Sequence, residues 1–109
     1  MAETNKILAQ TKPSAVTLTD AYTVPASTQT VVSTITVCNQ SATATTFRIS
    51  IAVAALADTP KQYLFYDVSC PGNDTFAATF GITLATTDVI RVYNTLATLS
   101  FTIMGVEIT

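Results

Sequence analysis

The chain has 109 residues, which is enough for one folded domain with its own core and too few for a second. Only 11% of the residues are charged, against about 25% in a typical soluble domain. Five Lys and Arg residues and seven Asp and Glu residues give a net charge of −2, which excludes the basic surface of a nucleic-acid-binding protein.

The first ten residues lack the basic start and the long apolar middle of a signal peptide. No apolar run reaches the roughly 18 residues of a membrane-spanning helix. We therefore expect a protein that is made in a cytoplasm, is not exported by a signal peptide and has no membrane partner.

Alternation of apolar and polar residues, typical of half-buried strands, runs through most of the chain. In chain order, the predicted strands cover residues 6–11 (a short, weak signal), 15–24, 30–38, 46–53, 62–68, 75–84, 89–93 and 96–108. Clusters of turn-forming residues separate them, for example Pro71-Gly72-Asn73-Asp74. A single helical turn is expected within residues 51–58, where alanines interrupt the strand pattern.

Eight short strands joined by short turns predict an all-β fold, an antiparallel β-sandwich of the jelly-roll type, with an immunoglobulin-like sandwich as the alternative. Residues 12–109 are expected to form the sandwich domain, and residues 1–11 an N-terminal arm or edge strand. We expect the segment before Lys12 to lie outside the sandwich proper and to become ordered only against a neighbouring subunit, because chain ends are loose unless they are tied down.

The alternation also predicts which side chains face inward. The expected core consists of Val32 or Ile35 together with Val37, Phe47, Ile49, Ile51, Val53, Phe76, Phe80, Ile82, Leu84, Ile90, Val92, Leu99, Phe101 and Ile103. In the last strand, Val106 and Ile108 have the opposite parity to Ile103. A β-bulge near Met104-Gly105 is expected to return them to the inward face.

The residue types give little support for catalysis. Histidine, the commonest general base and nitrogen ligand for metals, is absent from the sequence. Cys38 and Cys70 have no metal-ligand spacing and no activating motif. We expect them to be buried free thiols, because the protein is made under reducing conditions, with a disulfide between them as the alternative. The seven acidic residues are dispersed, mostly near turns. We therefore predict no catalytic, metal-binding or cofactor-binding residue and no enzymatic activity.

The aromatic cluster Tyr63, Phe65 and Tyr66 is the strongest candidate for an interaction surface. On a regular strand, Tyr63 and Phe65 point to one face while Leu64 and Tyr66 point to the other, so both faces carry apolar or amphipathic groups. Outward-facing tyrosines are common at interfaces. The alternative is that this strand lies in the middle of the sandwich. Ile7 and Leu8 in the N-terminal segment complete the candidate interface.

A resemblance to small structural proteins of tailed bacteriophages is carried by residues 21–39. There, Tyr22-Thr23-Val24-Pro25-Ala26 leads through a turn, often with glycine at the position of Ser27, into a strand that ends in Cys38-Asn39. Residues 41–53, 61–67 and 101–109 continue the similarity, which covers most of the chain from about Leu18 onward.

The resemblance implies a β-sandwich component of the virion that is made in the host cytoplasm. The implied role is a capsid decoration (cement) protein whose partners are other copies of itself, in a trimer, and the major capsid protein. A tail, neck or baseplate accessory protein is the closest alternative. A small carbohydrate-binding module is a third, although the chain has no tryptophan to serve as a sugar platform.

Overall fold

The structure, a computed structural model, describes residues 2–109, which form eight strands. These are β1 (Glu3–Thr11), β2 (Thr19–Thr23), β3 (Gln29–Asn39), β4 (Thr45–Ala52), β5 (Tyr63–Cys70), β6 (Thr75–Leu84), β7 (Val89–Asn94) and β8 (Leu99–Ile108). Two short 3-10 turns, Val53–Ala55 and Pro60–Gln62, lie between β4 and β5. The expected helical turn is thus present. Neither turn, nor any other helical segment in residues 2–109, has the length and apolar character needed to cross a membrane.

The strands form two antiparallel four-stranded sheets. The first sheet has the order β1-β8-β3-β6, and the second has the order β2-β7-β4-β5. First and last strands pair, as do the second and seventh, third and sixth, and fourth and fifth. Every connection except that between β4 and β5 passes from one sheet to the other. This is the strand order of a jelly roll, so the predicted fold is confirmed and the immunoglobulin-like alternative does not apply.

The N-terminal segment is an edge strand of the first sheet. β1 pairs with β8 along its whole length, from Glu3 opposite Ile108 to Thr11 opposite Phe101. Leu8 and Ala9 pack against the core. The expectation of an arm outside the sandwich is therefore corrected, because β8 offers a free edge that the segment covers.

The core lies between the sheets and contains most of the predicted side chains. Val32 and Ile35 are both buried, and Phe47 and Phe101 are its largest fully buried members. Phe76, Phe80, Ile82 and Ile51 pack against it but are only partly buried. Val53 was expected inside and is 62% exposed, because the chain leaves the strand there and enters the first 3-10 turn. The alternation did not identify Tyr22, Val24, Ala52, Cys70 and Val89, which are also buried.

The irregularity expected near Met104-Gly105 lies in the neighbouring strands instead of in β8. Leu8 in β1 and Ser33 in β3 are bulge residues that have no pairing partner in β8. Each lies next in sequence to the residue that pairs with Met104. β8 itself keeps a regular alternation, so Gly105 is buried and Glu107 is the next inward residue, while Val106 and Ile108 stay on the outer side. A Cβ at Gly105 would lie 2.2 Å from the Val31 carbonyl oxygen, so the close strand approach requires glycine.

Inward-facing Glu107 takes part in a polar link between the two sheets. The Tyr22 hydroxyl donates to Glu107 Oε2 at 2.6 Å and lies 2.8 Å from the Thr30 hydroxyl, while Lys6 Nζ is 3.0 Å from Glu107 Oε1. Burial, followed by the bond to Glu107, raises the pKa of Tyr22 to about 12. The hydrogen bond from Tyr22, followed by the one from Lys6, lowers the pKa of Glu107. The four groups satisfy one another and tie β1, β2, β3 and β8 together.

Candidate functional site

The outer face of the second sheet carries a cluster of tyrosines around one arginine. β4 and β7 pair so that Arg48 lies directly opposite Tyr93, and both point away from the core because their neighbours Phe47 and Val92 point into it. We call Arg48, Tyr63, Tyr66, Asp67 and Tyr93 the tyrosine–arginine cluster.

Two bulges in β5 decide which of its aromatic residues join this cluster. At the first bulge, Arg48 of β4 lies opposite two residues of β5, Tyr66 and Asp67. At the second bulge, Leu64 has no pairing partner in β4. It lies between the pairs Ile49–Phe65 and Ser50–Tyr63. Asp67 has a left-handed φ of 52°, a backbone conformation that also occurs in bulges of the G1 type.

As a result of these bulges, Tyr63 and Tyr66 share the outer face, and Phe65 turns inward. The ring of Phe65 lies 5.4 Å from that of Phe76 and 6.2 Å from that of Phe47. The prediction that Tyr63 and Phe65 share a face is therefore wrong, because it assumed a regular strand.

The Arg48 guanidinium is held on three sides. Its Nε and Nη2 donate to the two carboxylate oxygens of Asp67 at 2.7 and 3.3 Å. Its central carbon lies 4.1 Å from the ring centre of Tyr66 and 4.4 Å from that of Tyr93, which is cation–π distance on both sides. The hydrogen bond to Asp67 is the main cause that raises the pKa of Arg48. The arginine therefore links Asp67 to the two tyrosine rings.

The tyrosine rings form one wall of an open cleft of about 500 Å³, lined by Arg48, Asp58, Thr59, Pro60, Tyr63 and Tyr66. Tyr63 and Tyr66 meet edge to face, with ring centres 5.1 Å apart and an interplanar angle of 88°. The Tyr63 hydroxyl donates to Asp58 Oδ2 at 3.1 Å. Partial burial, followed by that bond, raises the pKa of Tyr63, so its hydroxyl stays protonated at neutral pH.

This arrangement is suited to recognition. It offers a rigid π surface, since Tyr66 is 58% exposed but fixed by Arg48 on its face and by Tyr63. It also offers a hydroxyl and a carboxylate at the rim of the cleft.

The candidate interface residues do not come together in one place. Tyr63 and Tyr66 lie at the β5 side of the second sheet, whereas Ile7 and Leu8 lie on β1, at the opposite edge of the first sheet. Ile7 is 50% exposed, but Leu8 packs against the core, as Phe65 does.

Sequence reasoning did not connect Arg48, Asp67 or Tyr93 with the tyrosines. These residues come from three strands that are separated along the chain. The available signal was the outward position of Arg48 on the regular strand β4, but only the pairing register shows what lies beside it.

The two cysteines, the candidate nucleophiles of the sequence, lie in structural positions. Cys38 and Cys70 are free thiols, and Cys70 is fully buried. Burial is the first cause that raises the Cys70 pKa, which disfavours a reactive thiolate. Within residues 2–109, His, Cys, Asp and Glu form no group of three or more that is arranged to hold a metal ion.

No protein-family model and no curated protein sequence matches this chain.

Proposed function

We propose that this protein is a non-enzymatic structural component of a bacteriophage virion, a capsid decoration protein that stabilises the particle through contacts with other copies of itself and with the major capsid protein. The observation that carries the proposal is the tyrosine–arginine cluster on the outer face of a jelly roll. The resemblance of residues 21–39 to phage structural proteins is the reason for proposing a protein of the virion.

The cluster suits a permanent contact because its geometry exists before binding. Tyr66 is held by a cation–π contact and an edge-to-face contact, so little side-chain entropy is lost when a partner covers it. Tyrosine and arginine are also the residue types that dominate the energy of many interfaces.

Half of the twelve charged side chains form ion pairs with one another. Lys6 pairs with Glu107, Arg48 with Asp67, and Arg91 with Asp20. Specific contacts would therefore depend on shape and hydroxyl hydrogen bonds more than on ion pairs. This suits a protein that is packed in many copies on one surface.

Quantitative mass spectrometry of purified virions tests whether the protein is part of the particle and in how many copies. A decoration protein is expected in numbers comparable to those of the major capsid protein. A copy number of about a dozen or fewer would instead indicate the tail, neck or baseplate alternative, since those positions follow the low rotational symmetry of the tail. Absence from the particle would contradict the proposal.

Binding of the purified protein to virions that lack it tests the surface. We expect Tyr66→Ala to weaken binding by about tenfold or more, as for a central aromatic residue of an interface. Val16→Ala is the matched control, because Val16 is 65% exposed on a loop outside the cluster. Equal binding by both variants would show that the cluster is not the contact.

Asp58 and Tyr63 in the cleft provide one specific reason to keep the carbohydrate-binding alternative. A carboxylate and a hydroxyl beside an exposed aromatic ring can bind sugar hydroxyl groups. Binding to a glycan array that is lost in Tyr66→Ala, together with absence from the particle, would favour this alternative.

A further inference from the structure

Four strands lie at sheet edges, and three of them carry features that disfavour pairing with another strand. β1 carries Glu3, Lys6 and a bulge at Leu8. β2 has only five residues and contains Asp20. β5 is bulged twice and contains Asp67. Charges, bulges and short length are the usual means by which proteins protect a sheet edge.

The fourth edge strand, β6, has little of this protection. Residues Thr75–Leu84 form ten consecutive strand residues without a charged side chain or a proline. The strand pairs with β3 on one side only, and its one irregularity is an extra residue near Phe80-Gly81, opposite Ser33. About half of its backbone N–H and C=O groups therefore point to an open edge, as in any antiparallel edge strand.

An apolar strip runs beside this open edge. Phe65 of β5 packs against Phe76 and Phe80 of β6, with ring centres 5.4 and 5.8 Å apart, so β5 and β6 flank the same side of the sandwich. All three rings are only partly buried. A strand added to β6 would cover these rings as well as pair the backbone.

We infer that β6 pairs with β6 of a second copy of this chain, in antiparallel orientation about a two-fold axis. The partner is a second copy because recognition of a foreign strand depends on pockets or charges that select its side chains, and β6 has no charged side chain to provide this. Identical edges match by symmetry alone.

An antiparallel register centred on Phe80 keeps both faces consistent, because the burial of β6 alternates regularly through its bulge at Phe80-Gly81. It places Phe76 opposite Leu84 of the second copy and Ala78 opposite Ile82, so the inward faces stay apolar. On the outer face, Thr79 lies opposite Gly81. These outward residues are small, and none is charged. The contact closes as a dimer, whereas the trimer implied by the resemblance needs two different edges in contact.

The inference rests on the proposed function, in which copies of this chain bind one another. Analytical ultracentrifugation of Thr79→Lys tests it. In the proposed register the two substituted positions are diagonal neighbours across the axis, within reach of long side chains, and two ammonium groups there repel each other. We expect the dimer dissociation constant to rise by about threefold to fivefold. Gln10→Lys is the control, since it adds the same charge to an exposed position on the edge strand β1 and should leave the constant within about twofold.

Hydrogen exchange of the unmodified protein gives a second measurement that does not depend on a variant. As the concentration rises through the monomer–dimer transition, amides of β6 should become more protected, while those of β1 should not. A protein that stays monomeric, a trimer, or a dimer whose β6 amides exchange equally at all concentrations would overturn the inference. The virion copy number is measured separately, so such a result would not by itself contradict the proposed function.

Discussion

At the residue scale, glycine is required at Gly105 and not at Gly81. A Cβ at Gly105 would lie 2.2 Å from the Val31 carbonyl oxygen and 3.0 Å from Val32 Cα, whereas a Cβ at Gly81 would meet nothing within 4 Å. We expect Gly105→Ala to lower the free energy of unfolding by about 1–3 kcal/mol, since β3 or β8 must shift to make room.

Gly81→Ala is the matched control for this prediction. It adds the same methyl group to another strand of the same sheet, and it should change the free energy of unfolding by less than about 1 kcal/mol or stabilise the protein. Urea unfolding of the two variants measures both effects. Equal losses would mean that the contact with Val31 is relieved without cost.

Glu107 makes a pH-dependent contribution to stability. Its pKa in the folded protein lies below the ordinary value, first because Tyr22 donates to it and then because Lys6 does. The folded state therefore favours the charged carboxylate, and the resulting stabilisation is present above the unfolded pKa and is lost as the pH falls through the folded pKa.

We accordingly expect Glu107→Gln to be less stable than the wild type at about pH 7, and the difference to shrink as the pH is lowered to about 2 and the wild-type carboxyl takes up a proton. Glu3→Gln, on an exposed residue of the same sheet, should show neither effect. Chemical denaturation at the two pH values measures the differences. A stability difference that stays constant with pH would contradict the proposed origin of the shift.

At the scale of the element, β1 is expected to contribute to the stability of the isolated domain. Its removal would leave β8 as an unpaired edge and would expose the core beside Leu8 and Ala9. We expect deletion of residues 2–9 to lower the melting temperature by at least about 8 °C, which corresponds to roughly 1–2 kcal/mol for a domain of this size. Thermal unfolding followed by circular dichroism checks this.

Two point variants separate the contribution of packing from that of the backbone pairing. Leu8→Ala should cost about 2 kcal/mol, because Leu8 packs on the core. Ile7→Ala should cost less than about 0.5 kcal/mol, because Ile7 is 50% exposed. A deletion variant that melts at the wild-type temperature would support an arm that is independent of the sandwich.

The elements themselves could largely be predicted, because alternation is a local property of each segment. Strand β6 was predicted with the bounds that it has, and the turn beside Ser27 follows from its residues. Ser27 has a left-handed φ of 55°, which suits the glycine that is common at this position in the resembling proteins.

Bulges and strand pairing could not be predicted, because they depend on residues that are distant in the sequence. Leu64 and Asp67 shift β5 against β4, and this shift moves Phe65 into the core and brings Tyr63 to the side of Tyr66. Arg48 meets Tyr93 only through the pairing of β4 with β7. The alternation in β8 correctly placed Leu99, Phe101 and Ile103 inward. It did not predict that Glu107 faces inward, because its partners Tyr22 and Lys6 come from β2 and β1.

At the scale of the whole molecule, the low charge content and the internal ion pairs act together. The chain has five basic residues, and three of them are paired with acids of the same chain. The ion pairs within residues 2–109 thus involve half of the twelve charged side chains, and the low total leaves only a small number to attract or repel another copy. The surfaces proposed for contact, the tyrosine–arginine cluster and the edge of β6, depend on aromatic packing and backbone hydrogen bonds.

Self-association should for this reason depend only weakly on ionic strength. Between about 50 mM and about 500 mM salt the Debye length shrinks about threefold, which would strongly weaken an association held by exposed ion pairs. We expect the dissociation constant measured by analytical ultracentrifugation to change by less than about threefold over this range. Lys6→Gln, which removes one internally paired cation, should leave that salt dependence unchanged, because Lys6 bonds Glu107 of its own chain. An oligomer that dissociates at the higher salt concentration would show that exposed charges hold the copies together, in contradiction to contacts made by Tyr66 and β6.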